Sequence, residues 1–244
     1  MTTNSFDEAR CTAISENLKF IRERIASAAV KAGRSEDAVR LMAVTKTVEP
    51  VYINYSIDKC GIDLIGENKV QEYLGKRDSL HLKGVEKHLI GHLQTNKVRK
   101  IVNEVDMIQS VDSFHLAEEI ASQAQKNGIT PKVLLELNLD AELTKTGFDS
   151  SEFFDSLEKI SELKNIEVYG LMTVPPVEIS GVELERYFDK IHSIFCDVKS
   201  KNLNGFNMQI LSMGMSGDYE VAVKHGSDLV RVGSAIYGAR IYNK

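Results

Sequence analysis

Eight short apolar runs recur along the chain, and between them lie stretches in which apolar residues return every three or four positions. Each run is mostly aliphatic or β-branched, which is typical of a parallel strand buried on both faces. Strands that alternate with helices at this spacing predict right-handed βαβ units, and therefore an α/β protein. The runs are V-R-L-M-A-V-T-K (39–46), D-L-I-G-E (63–67), K-H-L-I-G-H (87–92), D-M-I-Q-S-V (106–111), K-V-L-L-E-L-N (132–138), I-E-V-Y-G-L-M-T-V (166–174), M-Q-I-L-S-M (208–213) and D-L-V-R-V-G-S (228–234).

Helical periodicity is clear in several of the remaining stretches. The segment 113–127 begins with Ser113, a good N-cap, and is followed by Gly128, a favoured C-cap. Residues 150–164 carry acidic side chains early and one apolar side, as expected of an amphipathic helix. A further helix is predicted within residues 1–34, and we expect it to cover the seam between the last strand and the first.

We predict that the eight strands close into a (β/α)₈ TIM barrel, with an open doubly wound sheet as the alternative. No Pro-rich linker, low-complexity segment or charge block divides the 244 residues. The sequence therefore predicts one domain over residues 1–244, in which the N-terminal helical segment packs on the barrel.

The composition narrows the classes of function. With 30 basic and 35 acidic residues the formal net charge is −5, so nothing favours binding to nucleic acid or to an anionic membrane. The N-terminus lacks a basic segment followed by an apolar stretch, and no window of about 18 apolar residues occurs, so we expect a cytoplasmic protein. Cys11, Cys60 and Cys196 are odd in number and far apart, which predicts reduced thiols.

The candidates for chemistry are the polar residues that end the apolar runs, because barrels of this type build their active sites at the C-terminal ends of the strands. Lys46 ends the first run. At the mouth of an apolar barrel the ammonium form of a lysine is disfavoured, which favours a nucleophilic amine suited to a Schiff base. A lysine that reaches into solvent from the strand end is the alternative at this stage.

Two loops at the end of the chain have the composition of an anion site. The segment S-M-G-M-S-G-D (212–218) lies between a strand and a helical stretch, where backbone amides can bind an anion. Gly233 and Ser234 follow on the adjacent strand, and barrels often bind phosphate at these two loops. Arg231 shares a strand face with Gly233, so it faces either the barrel mouth or the helices, or pairs with a carboxylate inside the barrel.

With these residues in view, the chain resembles the pyridoxal-phosphate-binding homeostasis protein family, whose fold is similar to the N-terminal barrel domain of alanine racemase. The resemblance covers nearly the whole chain, with eight motifs in the family's order. They are A-V-T-K (43–46), I-G-E-N-K-V-Q-E (65–72), H-L-I-G-H-L-Q-T-N-K (88–97), S-V-D-S (110–113), K-T-G-F (145–148), G-L-M-T-V-P-P (170–176), S-M-G-M-S-G-D (212–218) and V-R-V-G-S-A-I-Y-G-A-R (230–240).

The resemblance implies that pyridoxal 5′-phosphate (PLP) is held as a Schiff base on Lys46, with Arg231 at the pyridine nitrogen. An arginine only donates, so it favours an unprotonated ring nitrogen and a weak electron sink. The other contacts that the resemblance implies are Asn68 and Met172 at the wall of the cofactor pocket, Ser212, Gly233 and Ser234 at the phosphate, and His88 and Lys145 as further neighbours.

The function implied by the resemblance is intracellular PLP homeostasis as a carrier or buffer without robust turnover, with PLP-dependent apoenzymes as recipients. A racemase of this fold needs a second acid/base from another domain, and we expect none here because the chain ends soon after Gly233. The alternative is a cryptic amino-acid racemase that uses His88, Lys145 or Tyr237 as its base. We expect a monomer.

Two further sequence patterns lead to predictions, one about metal binding and one about the residues that face the cofactor. His88 and His92 lie four residues apart but flank a strand rather than share a helix face, so no metal site is predicted. In E-N-K-V-Q-E (67–72), Asn68 rather than Glu67 is expected to face the cofactor. The charges of this motif are otherwise expected on a solvated helix face.

Overall fold

The computed structural model describes residues 7–139 and 147–238. Eight parallel strands form a closed barrel in chain order, and β8 pairs with β1 from Arg40↔Leu229 through Ala43↔Val232. This closure confirms the predicted barrel and excludes the open doubly wound sheet. The strands are β1 Arg40–Val44, β2 Leu64–Glu67, β3 Glu86–Leu89, β4 Met107–Val111, β5 Lys132–Leu137, β6 Glu167–Thr173, β7 Phe206–Ser212 and β8 Leu229–Val232.

Helices follow the strands and surround the barrel. Short 3₁₀ turns at Arg77–Ser79 and Thr95–Lys97 adjoin two of them. Within the described part of the chain, no helix is both long and apolar enough to cross a lipid bilayer. The helices are α1 Glu8–Lys31, α2 Pro50–Cys60, α3 Val70–Lys76, α4 Val98–Ile101, α5 Phe114–Asn127, α6 Ser150–Ser161, α7 Gly181–Ser200, α8 Tyr219–Lys224 and α9 Ser234–Tyr237.

The ends of α5 are set by the residues that the sequence pattern singled out. The Ser113 hydroxyl accepts the backbone N–H of Leu116 at 3.2 Å, which satisfies one of the free amides of the first turn. Gly128 ends the helix with φ of 66°, a conformation that a residue with a Cβ rarely adopts. The predicted boundaries of this helix are confirmed.

Helix α1 lies over the seam where the barrel closes, as predicted. Its buried residues include Ile14, Leu18 and Ile21, which share one apolar cluster with Val230 and Val232 of β8. Burying each of these aliphatic side chains contributes about 1.5–3 kcal/mol. Up to residue 238, where the described part of the chain ends, β8 is followed only by the short helix Ser234–Tyr237, so α1 supplies the apolar surface that the seam needs.

The two faces of each strand meet different layers. Val230 and Val232 pack outward against the helices, whereas Leu229 joins Met42 and Leu64 in a separate cluster. Because side chains alternate along a strand, Leu229 and Arg231 share the opposite face, which is the barrel interior. This resolves the orientation that the sequence left open for Arg231.

Candidate functional site

The predicted site residues lie along one end of the barrel. Lys46 follows the last residue of β1 by two positions, and Asn68 directly follows β2. Ser212 is the last residue of β7, and Gly233 directly follows β8. These are C-terminal strand ends, where enzymes and ligand-binding proteins with this fold place their sites. The remaining predicted residues at this end are Met172 near the end of β6, Arg231 in β8 and Ser234 at the start of α9.

Arg231 is a buried cation held by two hydrogen bonds. Its Nη1 donates to the Ser212 hydroxyl at 2.7 Å, and its Nη2 donates to the backbone carbonyl of Thr173 at 2.7 Å. Burial lowers the pKa of the Arg231 guanidinium to about 10, and the nearby carboxylates of Glu136 and Asp218 oppose that shift. The side chain is therefore still charged at neutral pH and is fixed in orientation.

The side chain of Ser212 holds the guanidinium of Arg231 in place. Its hydroxyl accepts from Arg231 and donates to Oε1 of Gln109 at 2.7 Å. The residue is fully buried. A phosphate contact from Ser212, which the family resemblance implies, stays a prediction, because the described structure shows its hydroxyl bonded to these two partners.

A chain of hydrogen bonds continues from Ser212 through the barrel interior. The amide of Gln109 donates to Nδ1 of His88 at 2.7 Å, so Nε2 of His88 carries the proton that it donates to Glu86 at 2.7 Å. Burial lowers the pKa of His88, which makes the imidazole neutral. The hydrogen bond from His88 lowers the pKa of Glu86 to about 2. Ser212 and Gln109 therefore lie between Arg231 and His88 in this hydrogen-bond chain. The sequence did not indicate a role for Gln109.

Backbone amides converge on one oxygen at the start of α9. The hydroxyl of Ser216 accepts from the amides of Gly233 and Ala235, each at 3.3 Å. Gly214, in the same loop as Ser216, has φ of 95°, and a Cβ there would lie 2.6 Å from that of Ala222. The loop after β7 and the turn after β8 thus approach each other closely, as the sequence suggested, and Ser216 is the residue that joins them.

Charged side chains surround the backbone on either side of Lys46, which is itself half-buried. The hydroxyl of Thr45 donates to Glu67, and Glu67 forms an ion pair with Lys76. Glu67 is 2% exposed, so the expectation of a solvated helix face for the charges of this motif is wrong for Glu67. Lys76, in the last turn of α3, was not singled out by the sequence.

Asn68 and Gly91 pack together at the ends of β2 and β3. A Cβ on Gly91 would lie 2.3 Å from the carbonyl oxygen of Asn68, so only glycine permits this approach. Oδ1 of Asn68 is buried and accepts no hydrogen bond from any residue that the structure describes. A buried acceptor without a donor is unfavourable, which marks this atom as one that a ligand can satisfy. Met172 is buried in an interior cluster with Met107 and Leu134.

The three residues considered as bases for a racemase lie in different surroundings. His88 lies within the hydrogen-bond chain described above. The hydroxyl of Tyr237 bonds to that of Ser56 at 2.9 Å in the apolar layer under the helices, and burial raises its pKa. Lys145 lies outside the described residues.

The described residues contain neither a cluster that could bind a metal ion nor a disulfide bond. In them no three His, Cys, Asp or Glu side chains are grouped as a metal would require. Cys11, Cys60 and Cys196 are free thiols.

Comparisons with known proteins find relatives that match most of the chain and its fold. A family model for the alanine racemase N-terminal domain matches residues 11–241. The chain is 39% identical over 229 residues to the pyridoxal phosphate homeostasis protein of Aquifex aeolicus (strain VF5), which covers 93% of this chain and 98% of the relative. Among solved structures, an unknown protein from Bifidobacterium adolescentis matches with a TM-score of 0.89 at 37% identity, covering 95% of this chain and 97% of the other. PipY of Synechococcus elongatus PCC7942, solved with PLP bound, matches with a TM-score of 0.78 at 33% identity, covering 89% of this chain and 100% of PipY.

The closed barrel with its buried Arg231 at the C-terminal end is thus a barrel of the alanine racemase N-terminal type. The chain belongs to the pyridoxal phosphate homeostasis protein family.

Proposed function

We propose that this protein binds PLP at the C-terminal end of its barrel, holds it as a Schiff base on Lys46, and acts in cofactor homeostasis as a carrier or buffer. The observation that carries the proposal is the buried Arg231 guanidinium, fixed by Ser212 and Thr173 at the same end of the barrel as Lys46. The names of the relatives support the choice of ligand.

The residues present fit this cofactor. Asn68 offers a buried acceptor for a hydroxyl group on the ligand. The amides of Gly233 and Ala235, which the Ser216 hydroxyl engages, are the kind of convergent donors that a phosphate needs. We assign the phosphate contacts to Gly233 and Ser234, with Ser212 acting through Arg231 and its own phosphate contact still to be tested.

Bound PLP supplies an electron sink whose strength depends on the group at the ring nitrogen. Arg231 is charged and can only donate, so it would keep that nitrogen unprotonated and the sink weak. Thr173 and Ser212 hold the guanidinium in place for this contact. Lys46 would supply the amine, and Met172 an apolar wall.

A carrier is favoured over a racemase by the positions of the candidate bases. The His88 imidazole is neutral and hydrogen-bonded on both nitrogens inside the barrel. The Tyr237 hydroxyl bonds to Ser56 in the layer beneath the helices. Both groups are therefore already hydrogen-bonded to other protein side chains.

The attachment is tested by recording the visible absorbance of the PLP-loaded protein, reducing it with borohydride, and locating the pyridoxyl group by peptide mass spectrometry. We expect the group on Lys46, and we expect Lys46→Ala to lose both the absorbance band and the adduct. Lys69→Ala, which changes an exposed lysine beside Asn68, is the matched control and should retain both. An adduct on Lys145 in the unaltered protein would overturn the assignment of Lys46.

The absence of robust turnover is tested by incubating the loaded protein with L-amino acids in deuterated water. Cα exchange no faster than that of free PLP is expected, and exchange well above it would favour the racemase. Delivery to partners is tested by mixing the loaded protein with a PLP-dependent apoenzyme and measuring the activity that returns. We further propose a monomer, and light scattering on the eluting protein checks its mass.

A further inference from the structure

We propose that Glu67, Glu72 and Lys76 form a positioning device that fixes the backbone on both sides of Lys46 and so sets the geometry of covalent attachment. The inference rests on the proposed role of Lys46 and deepens it. It concerns how the attachment residue is held rather than how the pocket recognises its ligand.

The first part of the device holds the residue before Lys46. Nζ of Lys76 donates to the backbone carbonyl of Thr45 at 2.8 Å, and the Thr45 hydroxyl donates to Glu67. Lys76 also forms an ion pair with Glu67. Both the carbonyl and the side chain of Thr45 are therefore held by one buried pair of opposite charges.

The second part holds the residue after Lys46. The carboxylate of Glu72 accepts the backbone N–H of Thr47, and Glu72 pairs with Lys76 at 3.2 Å. The Thr47 hydroxyl donates to the carbonyl of Lys46 itself at 2.6 Å. The three charged side chains are thus linked through Lys76, with Glu67 on one side of the attachment residue and Glu72 on the other.

The backbone that they hold is strained. Val48 N donates to the carbonyl of Thr45 at 3.1 Å, which closes a turn with Lys46 and Thr47 as its central residues. Thr47 has φ of 62°, a region that β-branched residues rarely occupy. Such strain costs of order 1–3 kcal/mol and persists only where the surroundings enforce it. Here the Glu72 carboxylate and the Thr47 hydroxyl enforce it.

Stability alone does not account for this arrangement. Lys76 is 9% exposed and Glu67 is 2% exposed, and burial raises the pKa of Glu67 against the opposing effect of Lys76. A buried ion pair is often replaceable by apolar side chains without loss of stability, because desolvation offsets the attraction. What apolar side chains cannot replace is the set of hydrogen bonds to the backbone around Lys46. Small displacements of a reacting group can lower its reactivity by large factors.

The test separates recognition of the ligand from covalent attachment. PLP carries the aldehyde that reacts with Lys46, whereas pyridoxine 5′-phosphate has a hydroxymethyl group in its place and can bind only noncovalently. The affinities of the purified protein for both compounds are measured by titration, together with the yield of borohydride adduct on Lys46. The unaltered protein should bind PLP more tightly than pyridoxine 5′-phosphate, and equal affinities there would contradict the proposed role of Lys46 itself.

In Lys76→Met and Glu72→Ala, we expect PLP affinity to fall about tenfold or more, because the amine is misplaced. Affinity for pyridoxine 5′-phosphate should stay within about twofold, since the pocket is intact. Glu72→Gln keeps an oxygen that accepts the Thr47 N–H, so it should restore most of the PLP affinity that Glu72→Ala loses. Glu104→Gln removes a carboxylate charge that pairs with the adjacent Arg77 and should change neither affinity.

Equal losses for both compounds in Glu72→Ala, or no loss for either, would overturn the positioning role. If Lys76→Met does not fold, the comparison of Glu72→Ala with Glu72→Gln decides the matter. The fraction of folded protein is checked by urea unfolding of each variant before titration.

Discussion

The guanidinium of Arg231 is held inside the barrel by the hydroxyl of Ser212, with Nη1 donating to Oγ over 2.7 Å. The hydrogen bonds continue in the same direction: Ser212 donates to Gln109, Gln109 donates to His88, and His88 donates to Glu86. All of these hydrogen bonds run from Arg231 towards Glu86, because Arg231 can only donate and an ionised Glu86 can only accept. The orientation of the cation at the strand ends is therefore coupled to side chains deep in the barrel.

Ser212→Ala is expected to destabilise the protein by about 1–3 kcal/mol, because it leaves both Arg231 Nη1 and Gln109 Oε1 buried without their partner. Urea unfolding monitored by circular dichroism measures the loss. Ser200→Ala changes an exposed helical serine and should stay within about 0.5 kcal/mol of the unaltered protein. If the two variants were equally stable, the Ser212 hydroxyl would not be structurally coupled to Arg231.

Arg231→Lys should weaken the binding of PLP and of pyridoxine 5′-phosphate alike, each by about tenfold. An ammonium group cannot reproduce the forked contact with Ser212 and Thr173 while also reaching a ligand. This pattern contrasts with Lys76→Met, where only the aldehyde compound should be affected. Arg24→Lys, in an exposed ion pair with Glu220, is the control. A selective loss of PLP alone in Arg231→Lys would argue against a contact between Arg231 and the ring.

His88 should make the folded state sensitive to mild acid. Burial lowers its pKa in the folded protein, so the unfolded chain binds more protons once the pH falls below about 6.5. Its contribution to stability is full above that pH and declines as the pH drops, by up to about 1.4 kcal/mol per pH unit. Hydrogen bonds from His88 and Arg40 lower the pKa of Glu86 to about 2, so its contribution to stability is lost only as the pH falls below the ordinary glutamate pKa of about 4.3, outside this window.

His88→Gln tests this dependence, because glutamine can accept from Gln109 and donate to Glu86 but does not titrate. Unfolding free energies at pH 7.5 and 5.5 are compared for the two proteins. The unaltered protein should lose about 1 kcal/mol more than the variant over this range. His115→Gln, at an exposed position, should behave like the unaltered protein, and an identical loss in His88→Gln would refute the buried neutral histidine.

The barrel was predictable because its strands are buried on both faces, and such strands appear in the sequence as uninterrupted apolar runs. The ends of α5 were predictable because Ser113 and Gly128 act locally. The face of Arg231 was not, since alternation relates it to Gly233 but only closure of the barrel shows which side is the interior. The order of the polar chain was hidden for the same reason, as Gln109 meets Ser212 only across the closed barrel.

The device around Lys46 was missed for a different reason. Charged residues are mostly exposed, so the pattern E-N-K-V-Q-E favoured a solvated helix face. Glu67 can be buried because Lys76, at the end of α3, forms an ion pair with it. The one available signal was that Glu67 directly ends an apolar run, at a position where a carboxylate needs a partner.

Gly91→Ala should disturb the site without touching any side chain in it. The new Cβ would lie 2.3 Å from the carbonyl oxygen of Asn68 and 2.8 Å from its Cα, so the backbone of Asn68 must move. We expect a loss of about 1–3 kcal/mol in stability and weaker binding of both PLP and pyridoxine 5′-phosphate. Gly75→Ala in α3 meets nothing within 4 Å and should instead stabilise the helix by about 0.5–1 kcal/mol. Unchanged ligand affinity in Gly91→Ala, measured by titration of folded protein, would remove Asn68 from the binding site.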